Sequence, residues 1–284
     1  MTDSPLGPTA LITERDVASV RFLLEQMPEG DDPSTFIMLT DEEIAGIDGP
    51  LSLDLVSSPF LSQEGIDRRT ALACATRSLA ARGMITLDPS ARDDEGAVLE
   101  GDGDPALRSM QLSPVLAGVF LLRRSAAGFL AATRVLEAGT TTSALYFTPD
   151  GTALEEFVTT DGLHLFTLLR RDAICGRLAV FVDPFSAADA DGAETSVPRS
   201  ELSAPGFVPP DTRAATTVSA MHPSGGRAVH VYATGTGVQV ADAGPFGDQG
   251  PDPSPEIPMA EVSPETLQTV LSTLVDEILA DAES

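Results

Sequence analysis

Tryptophan and lysine are both absent from the 284 residues, and cysteine occurs only twice, at Cys74 and Cys175. Two cysteines far apart in sequence give neither a disulfide framework nor a metal-ligand spacing. They are expected as small buried side chains in a reducing compartment. No apolar run approaches the roughly 18 residues of a membrane-spanning helix. Even the stretch 115–122 is stopped by Arg123-Arg124. The opening MTDSPLGPTALITERD has neither the basic start nor the continuous apolar core of a secretory signal. These absences lead to the expectation of a soluble cytoplasmic protein without membrane insertion.

Positive charge is scarce too. Against 43 Asp and Glu stand 17 basic residues, all of them arginine, for a formal net charge of −26. A chain so acidic is repelled by nucleic acid phosphates and by anionic lipid headgroups, so nucleic acid is not an expected partner. Catalytic signatures are missing as well. The sequence holds no H-E-x-x-H, no Cys-x-x-Cys, no Walker A and no Gly-x-Ser-x-Gly.

What is there is an ordinary globular composition, 42% hydrophobic and 21% charged, with length enough for a substantial core. The first helix is expected after Thr13 as N-cap, with Val17, Val20, Leu23 and Leu24 at helical spacing. Short strands are expected at 36–39 and 51–56, with a polar turn or short helix at 41–44 between them. The spacing of Ile66, Leu72, Ala75 and Leu79 predicts a helix over 62–82, ended by Gly83 and followed by an extended segment at 84–87. Another helix, over 112–121, begins at Ser113-Pro114. The last, over 265–280, is capped by Ser263-Pro264 and carries Leu267, Val270, Leu271, Leu274 and Ile278 at i, i+3, i+4 spacing.

Between these helices one hairpin pattern is written twice. TTSALYFTPDGTALEEFVTTDGLHLF at 141–166 and TTVSAMHPSGGRAVHVYATGTGVQVA at 216–241 both run from a Thr pair through a strand into Pro-x-Gly. Both return in a second strand and turn again at a glycine, Gly162 or Gly237. A fourth strand, 129–136, precedes the first copy, and a helix candidate follows each copy, at 172–185 and at 265–280. The expectation is an α+β fold: a mostly antiparallel sheet of two pseudo-symmetric meander-plus-helix halves, with helices packed on it. The chain then reads as one domain, 1–284, with halves at 11–185 and 200–284. The stretches 88–105, 186–213 and 243–258, acidic or rich in Pro and Gly, read as mobile loops or linker.

The remaining candidates for chemistry fail on spacing. His164 and His230 fall at different places in the two copies, His222 precedes a turn, and no ligand cluster accompanies any of them. They read as polar strand positions. Asp189-Ala190-Asp191-Gly192 has the look of a calcium loop, but the required register puts Ala187 at the first ligand position and Pro198 at the last. The Asp102-Gly103-Asp104 patch offers only isolated carboxylates. Gly235-Thr236-Gly237 lacks the third glycine and the helix of a dinucleotide site, and Ser224 is a turn serine unless a base stands beside it. The segment 65–87 follows the helix-to-wing join of winged-helix regulators and offers Arg68, Arg69, Arg77 and Arg82 for phosphates. Asp67, Asp88, Asp93, Asp94 and Glu95 crowd those arginines, so DNA binding stands as an alternative only.

Taken as a whole, the order of elements resembles the EspG family of type VII (ESX) secretion-associated proteins of actinobacteria. The junction Leu79-Ala80-Ala81-Arg82-Gly83-Met84-Ile85 is similar to that family's helix-to-Arg-Gly-apolar turn. A second helical stretch follows a polar insert, at 112–122, and strands with an apolar ending follow at 163–170. A late block of strands and glycine turns at 217–241 precedes the final amphipathic helix. The likeness spans about residues 11–280 and is one of architecture; no functional residue of the family maps onto a matched motif. The resemblance implies a non-catalytic cytosolic chaperone or adaptor without cofactor or metal. It would bind a secreted helical substrate of the PE–PPE or WXG type and keep it soluble. The competing readings are the acidic regulator and an enzyme whose site is assembled from scattered Asp, His and Ser.

Overall fold

The computed structural model describes residues 14–25, 27, 34–49, 56–87, 110–202, 207–246 and 255–282. Helix α1 (Glu14–Glu25) leads to strand β1 (Ile37–Thr40) and helix α2 (Asp41–Asp48). Helix α3 (Arg68–Ala81) follows, then β2 (Ile85–Leu87), β3 (Met110–Leu112) and α4 (Pro114–Arg124). Four strands come next, β4 (Gly128–Leu136), β5 (Gly139–Phe147), β6 (Ala153–Val158) and β7 (Leu163–Leu169), ahead of helix α5 (Arg171–Val182). The chain continues through β8 (Thr195–Pro198), α6 (Arg199–Leu202), β9 (Ala214–His222), β10 (Gly225–Ala233), β11 (Val238–Phe246) and β12 (Glu256–Glu261) to α7 (Pro264–Ala282).

Ten of these strands form one sheet, in the order β1-β7-β6-β5-β4-β9-β10-β11-β12-β8, with antiparallel pairing throughout. β2 and β3 make a separate two-stranded ribbon. The α+β expectation holds: a large antiparallel sheet carries helices on its faces. α5 and α7 cover one face, where Leu130, Leu145, Val218, Val231, Leu271 and Ile278 share a core. The approach of α7 is close, since a Cβ on Gly128 would lie 2.2 Å from the Ile278 side chain. Only glycine lets the helix sit so near β4. On the other face, α4 with α1 and α2 covers the outer strands β1, β7, β6 and β5, through Leu23, Leu39, Ile44, Leu116, Phe120 and Phe166. A smaller cluster around Tyr232 closes that face at the β12 end.

Helix ends follow local chemistry. Ser113 accepts from the Leu116 amide with Pro114 at the first turn, and Ser263 accepts from the Thr266 amide, both at the predicted starts. α2 is a full helix, because Thr40 and Glu43 form a reciprocal capping box. α3 begins later than its apolar spacing predicts. Asp67 caps it by accepting from Arg69 and Thr70, so residues 62–66 stay outside the helix.

Both copies of the hairpin pattern are three-stranded meanders, β5-β6-β7 and β9-β10-β11. Their second turns differ in length by one residue: Thr159 N–H bonds Leu163 O, whereas Thr234 N–H bonds Gly237 O. The copies do not occupy equivalent places, however. Counted outward from the central β4–β9 pair, β5 is second on its side and β9 is first on its own. A further strand, β12, also separates the second copy from its helix.

Residues 186–213 are more than a connection. β8 pairs with β12 there, and Val197 and Leu202 are buried against Tyr232. In the same way β11 and β12 take in both ends of 243–258. The segment 88–105 and the strand expected at 51–56 lie outside the described residues, apart from Val56, which is buried. Cys74 is exposed on α3 and Cys175 is half-buried, so the expectation of two buried thiols fails for Cys74. Among the described residues no helix is long and apolar enough to cross a membrane.

Candidate functional site

His164 stands at the centre of the most unusual chemistry in the molecule. Strand alternation turns Leu154, Glu156 and Val158 of β6, and His164 and Phe166 of β7, toward the face under α2 and α4. The imidazole is fully buried, with Nδ1 2.6 Å from Glu156 Oε1 and Nε2 2.7 Å from Asp41 Oδ1. Both carboxylates have further donors. Asp41 Oδ2 accepts the Phe60 and Leu61 amides at 2.7 and 3.0 Å. Glu156 Oε2 accepts Arg123 Nε at 2.9 Å and the Tyr146 hydroxyl at 2.6 Å. Arg123 in turn donates to Asp48 Oδ2 at 2.7 Å, and Arg124 holds the other oxygen of Asp48. At the far end of the layer Glu43 receives Ser78 and Arg82, and Arg82 also donates to Met38 O.

The charges of this layer balance. Asp41, Glu43, Asp48 and Glu156 face Arg82, Arg123, Arg124 and His164. Equality requires an imidazolium, and the geometry agrees, since both ring nitrogens meet acceptors and both must donate. Burial works against the charged form of His164, but the hydrogen bonds to Asp41 and Glu156 outweigh it and raise its pKa. Burial likewise opposes ionisation of Glu156, and Arg123 with His164 outweighs it, so its carboxyl lies below the usual range. The Tyr146 phenol is driven well up by burial and by the neighbouring Glu156 charge. Gly162 completes the frame. Its carbonyl accepts the Asp41 amide, and with φ at +78° a Cβ there would meet Asp41 Oδ2 at 2.9 Å. The network is closed: its carboxylates and arginines are spent on one another, and it ties β1, β6, β7, α2 and α4 into one body.

Sequence reading places His164 as an ordinary polar strand position and does not connect it to Asp41, Arg123 or Glu156. A usable signal was present. Glu155-Glu156 lies inside a strand, and alternation sends two adjacent carboxylates to opposite covered faces. Glu155 meets Ser143 at 3.0 Å and Arg177 at 3.1 Å on the α5 side.

The other histidines are elsewhere. His222 Nδ1 lies 3.0 Å from Ser224 Oγ and 3.4 Å from Asp281, and the Ser224 hydroxyl donates to Asp281. The three line an open depression of about 510 Å³ with Arg227 and Glu277. A base does stand beside the turn serine, yet serine and carboxylate meet the same ring nitrogen. A nucleophilic relay needs them on opposite ones. The trio fastens the β9–β10 turn to the end of α7. Asp191, from the calcium-like tract, accepts Ser263 N and Thr266 Oγ1 at 2.7 and 3.0 Å and so holds the start of α7. Among the described residues no group of His, Cys, Asp and Glu is arranged to hold a metal ion.

Between the layer around His164 and the cluster around Tyr232, the same sheet face is left to β4, β9 and β10. Ala131, Thr133, Thr217, Ser219, Ala228 and His230 lie there in cross-strand register, all half-buried, and Val135 beside them is 53% exposed. None carries a carboxylate. His230 bonds Thr217 at 3.1 Å, and burial lowers its pKa, which keeps the ring neutral. In a chain of net charge −26 this is an uncharged window with small side chains and no helix across it among the described residues.

No family model matches the chain, and no curated protein matches it.

Proposed function

We propose that the protein is a non-catalytic cytosolic chaperone or adaptor that binds a helical partner of the kind exported by ESX-like type VII secretion. The observation that carries the reading is the uncharged window on β4, β9 and β10. In a chain of net charge −26 an uncharged stretch of sheet is where an apolar helix meets the least desolvation cost. Small side chains let the partner backbone come close, and packed layers flank the window on either side. The paired meanders support the same reading, as does the likeness to EspG proteins in the order of elements. The chemistry of the His164 network fits a structural role, since its groups are already engaged with each other.

Co-expression with a PE–PPE-like helical pair tests the reading. A stable co-eluting complex is expected with the wild-type chain. Thr217→Glu together with Ser219→Glu should weaken it at least about tenfold, because two carboxylates would enter an uncharged contact. No complex with any such pair, or a complex indifferent to both substitutions, removes the proposal.

A further inference from the structure

Arginine is used economically in this molecule. Arg82, Arg123, Arg124, Arg177 and Arg227 hold carboxylates, while Arg15, Arg68 and Arg134 donate to backbone carbonyls. Arg69 and Arg77 are different. Both are exposed on α3; the Arg69 amide donates to the Asp67 cap and its charge lies near that carboxylate, but neither guanidinium is held in a hydrogen bond or close ion pair among the described residues. Arg69, Ala73 and Arg77 follow one another at i, i+4, i+8, with exposed Cys74 alongside. The fourteen residues of α3 contain no acid, in a chain where acids outnumber bases 43 to 17.

The helix is also placed for contact. It rests chiefly on α2 and β2 and not on the ten-stranded sheet, so its outer side projects. Both ends are fixed, by the Asp67 cap and by the Arg82–Glu43 pair, which leaves the exposed row rigid. From this we infer that the Arg69–Ala73–Arg77 row of α3 is an interaction surface for an acidic helical segment of a protein partner. Arg69 and Arg77 stand two helical turns apart, about 12 Å along the axis, and so match carboxylates at i, i+8 on a facing helix, while Ala73 between them permits close approach. The general acidity of the chain repels that segment everywhere else, so the island fixes orientation as well as attraction. Nucleic acid fits less well. Arg68 and Arg82, two of the four arginines of this segment, are consumed internally, and duplex binding draws on many phosphate contacts.

The inference rests on the reading that the chain binds a helical protein, but it concerns a second surface with its own readout. Cys74 supplies a native reporter beside this row, and half-buried Cys175, on α5 against the core of the other sheet face, supplies a reference. The probe is a synthetic amphipathic peptide of about 18 residues with Glu at i, i+4 and i+8, long enough to be helical. At saturation it should slow alkylation of Cys74 by iodoacetamide about fivefold and leave Cys175 unchanged. Arg69→Glu with Arg77→Glu should abolish the protection, and Arg69→Gln with Arg77→Gln should reduce it, circular dichroism confirming that both pairs fold. Ser219→Glu, which disables the sheet window, should leave Cys74 protection intact, so the two surfaces fail separately. Absence of protection overturns the inference. So does protection that survives charge reversal, or protection by a duplex DNA and not by the peptide.

Discussion

The two faces of the sheet are held by different physics. Under α7 the contact is apolar: Leu267, Leu271, Leu274 and Ile278 meet Leu130, Val218, Val229 and Val231, and the Arg227–Asp242–Glu277 pairs sit at the rim. Under α2 and α4 the same sheet meets a buried charged layer, with Arg123, Glu156, His164 and Asp41 all enclosed. Apolar burial is non-directional and tolerates small shifts. A charged layer tolerates none, because each group is costly unless every partner is in place. The α7 side therefore supplies adhesion, and the His164 side supplies register.

The widest separation between the two layers is expected from removing one member of each. Arg123→Ala removes the buried cation that Glu156 and Asp48 share, leaving Glu156 to His164 and Tyr146 and Asp48 to exposed Arg124, and should cost about 3 kcal/mol at neutral pH. Leu271→Ala removes a fully buried side chain from the α7 contact and should cost about 3 kcal/mol, with a cavity in its place. Magnitude alone does not distinguish them, and pH does. The cost of Arg123→Ala should shrink as pH falls, since Glu156, whose pKa Arg123 holds down, can then take up a proton. The cost of Leu271→Ala should not change. Urea denaturation of both variants across the acid range reads this directly, and parallel pH profiles would end the distinction between the layers.

His164 sharpens the comparison further. Its pKa is raised in the folded chain, so its contribution is complete below the unfolded value of 6.5 and is lost as pH rises through the folded pKa. Glu156 is depressed, so its contribution is present above 4.5 and is lost as pH falls through its folded pKa. Stability should peak between these limits. Asp41, Glu156 and Arg123 with the Tyr146 hydroxyl surround the site, and deprotonating the imidazole leaves the layer with one uncompensated negative charge. His164→Gln should cost about 2 kcal/mol near neutrality and flatten the alkaline limb of the profile. An alkaline limb unchanged by that substitution would assign the loss to another group.

How much of this was legible beforehand depends on sequence separation. α7 could be read because Leu267, Leu271, Leu274 and Ile278 advertise one face within a few turns, and Ser263-Pro264 marks its start. The two meanders were equally open, since each Pro-x-Gly and glycine turn is local. Their unequal places in the sheet were not, because the β4–β9 pairing joins distant segments and no local residue encodes it. β8 was hidden for a related reason: a four-residue edge strand among Asp, Ala and Pro has no periodicity to show. The His164 layer lies beyond periodicity altogether. Asp41 and His164 are separated by 123 residues, and nothing near either one names the other. The exception is Glu155-Glu156, where adjacency within a covered strand already demands cationic partners on both faces.

That pair supports the mildest test. Glu155 is as buried as Glu156, but its cation, Arg177, reaches down from α5 with 44% of its side chain in solvent, whereas Arg123 is 3% exposed. Solvent screens the Arg177 charge and can follow a truncated side chain inward, and Ser143 stays as a donor to Glu155. Arg177→Ala should therefore cost only about 0.5–1 kcal/mol, a fraction of the Arg123→Ala loss on the opposite side of the same strand. Denaturation midpoints of the two variants at equal slope give the ratio. Equal losses would mean that exposure of the cation does not govern how strongly a buried carboxylate depends on it here, and the contrast between the faces would then rest on the apolar contacts of α7 alone.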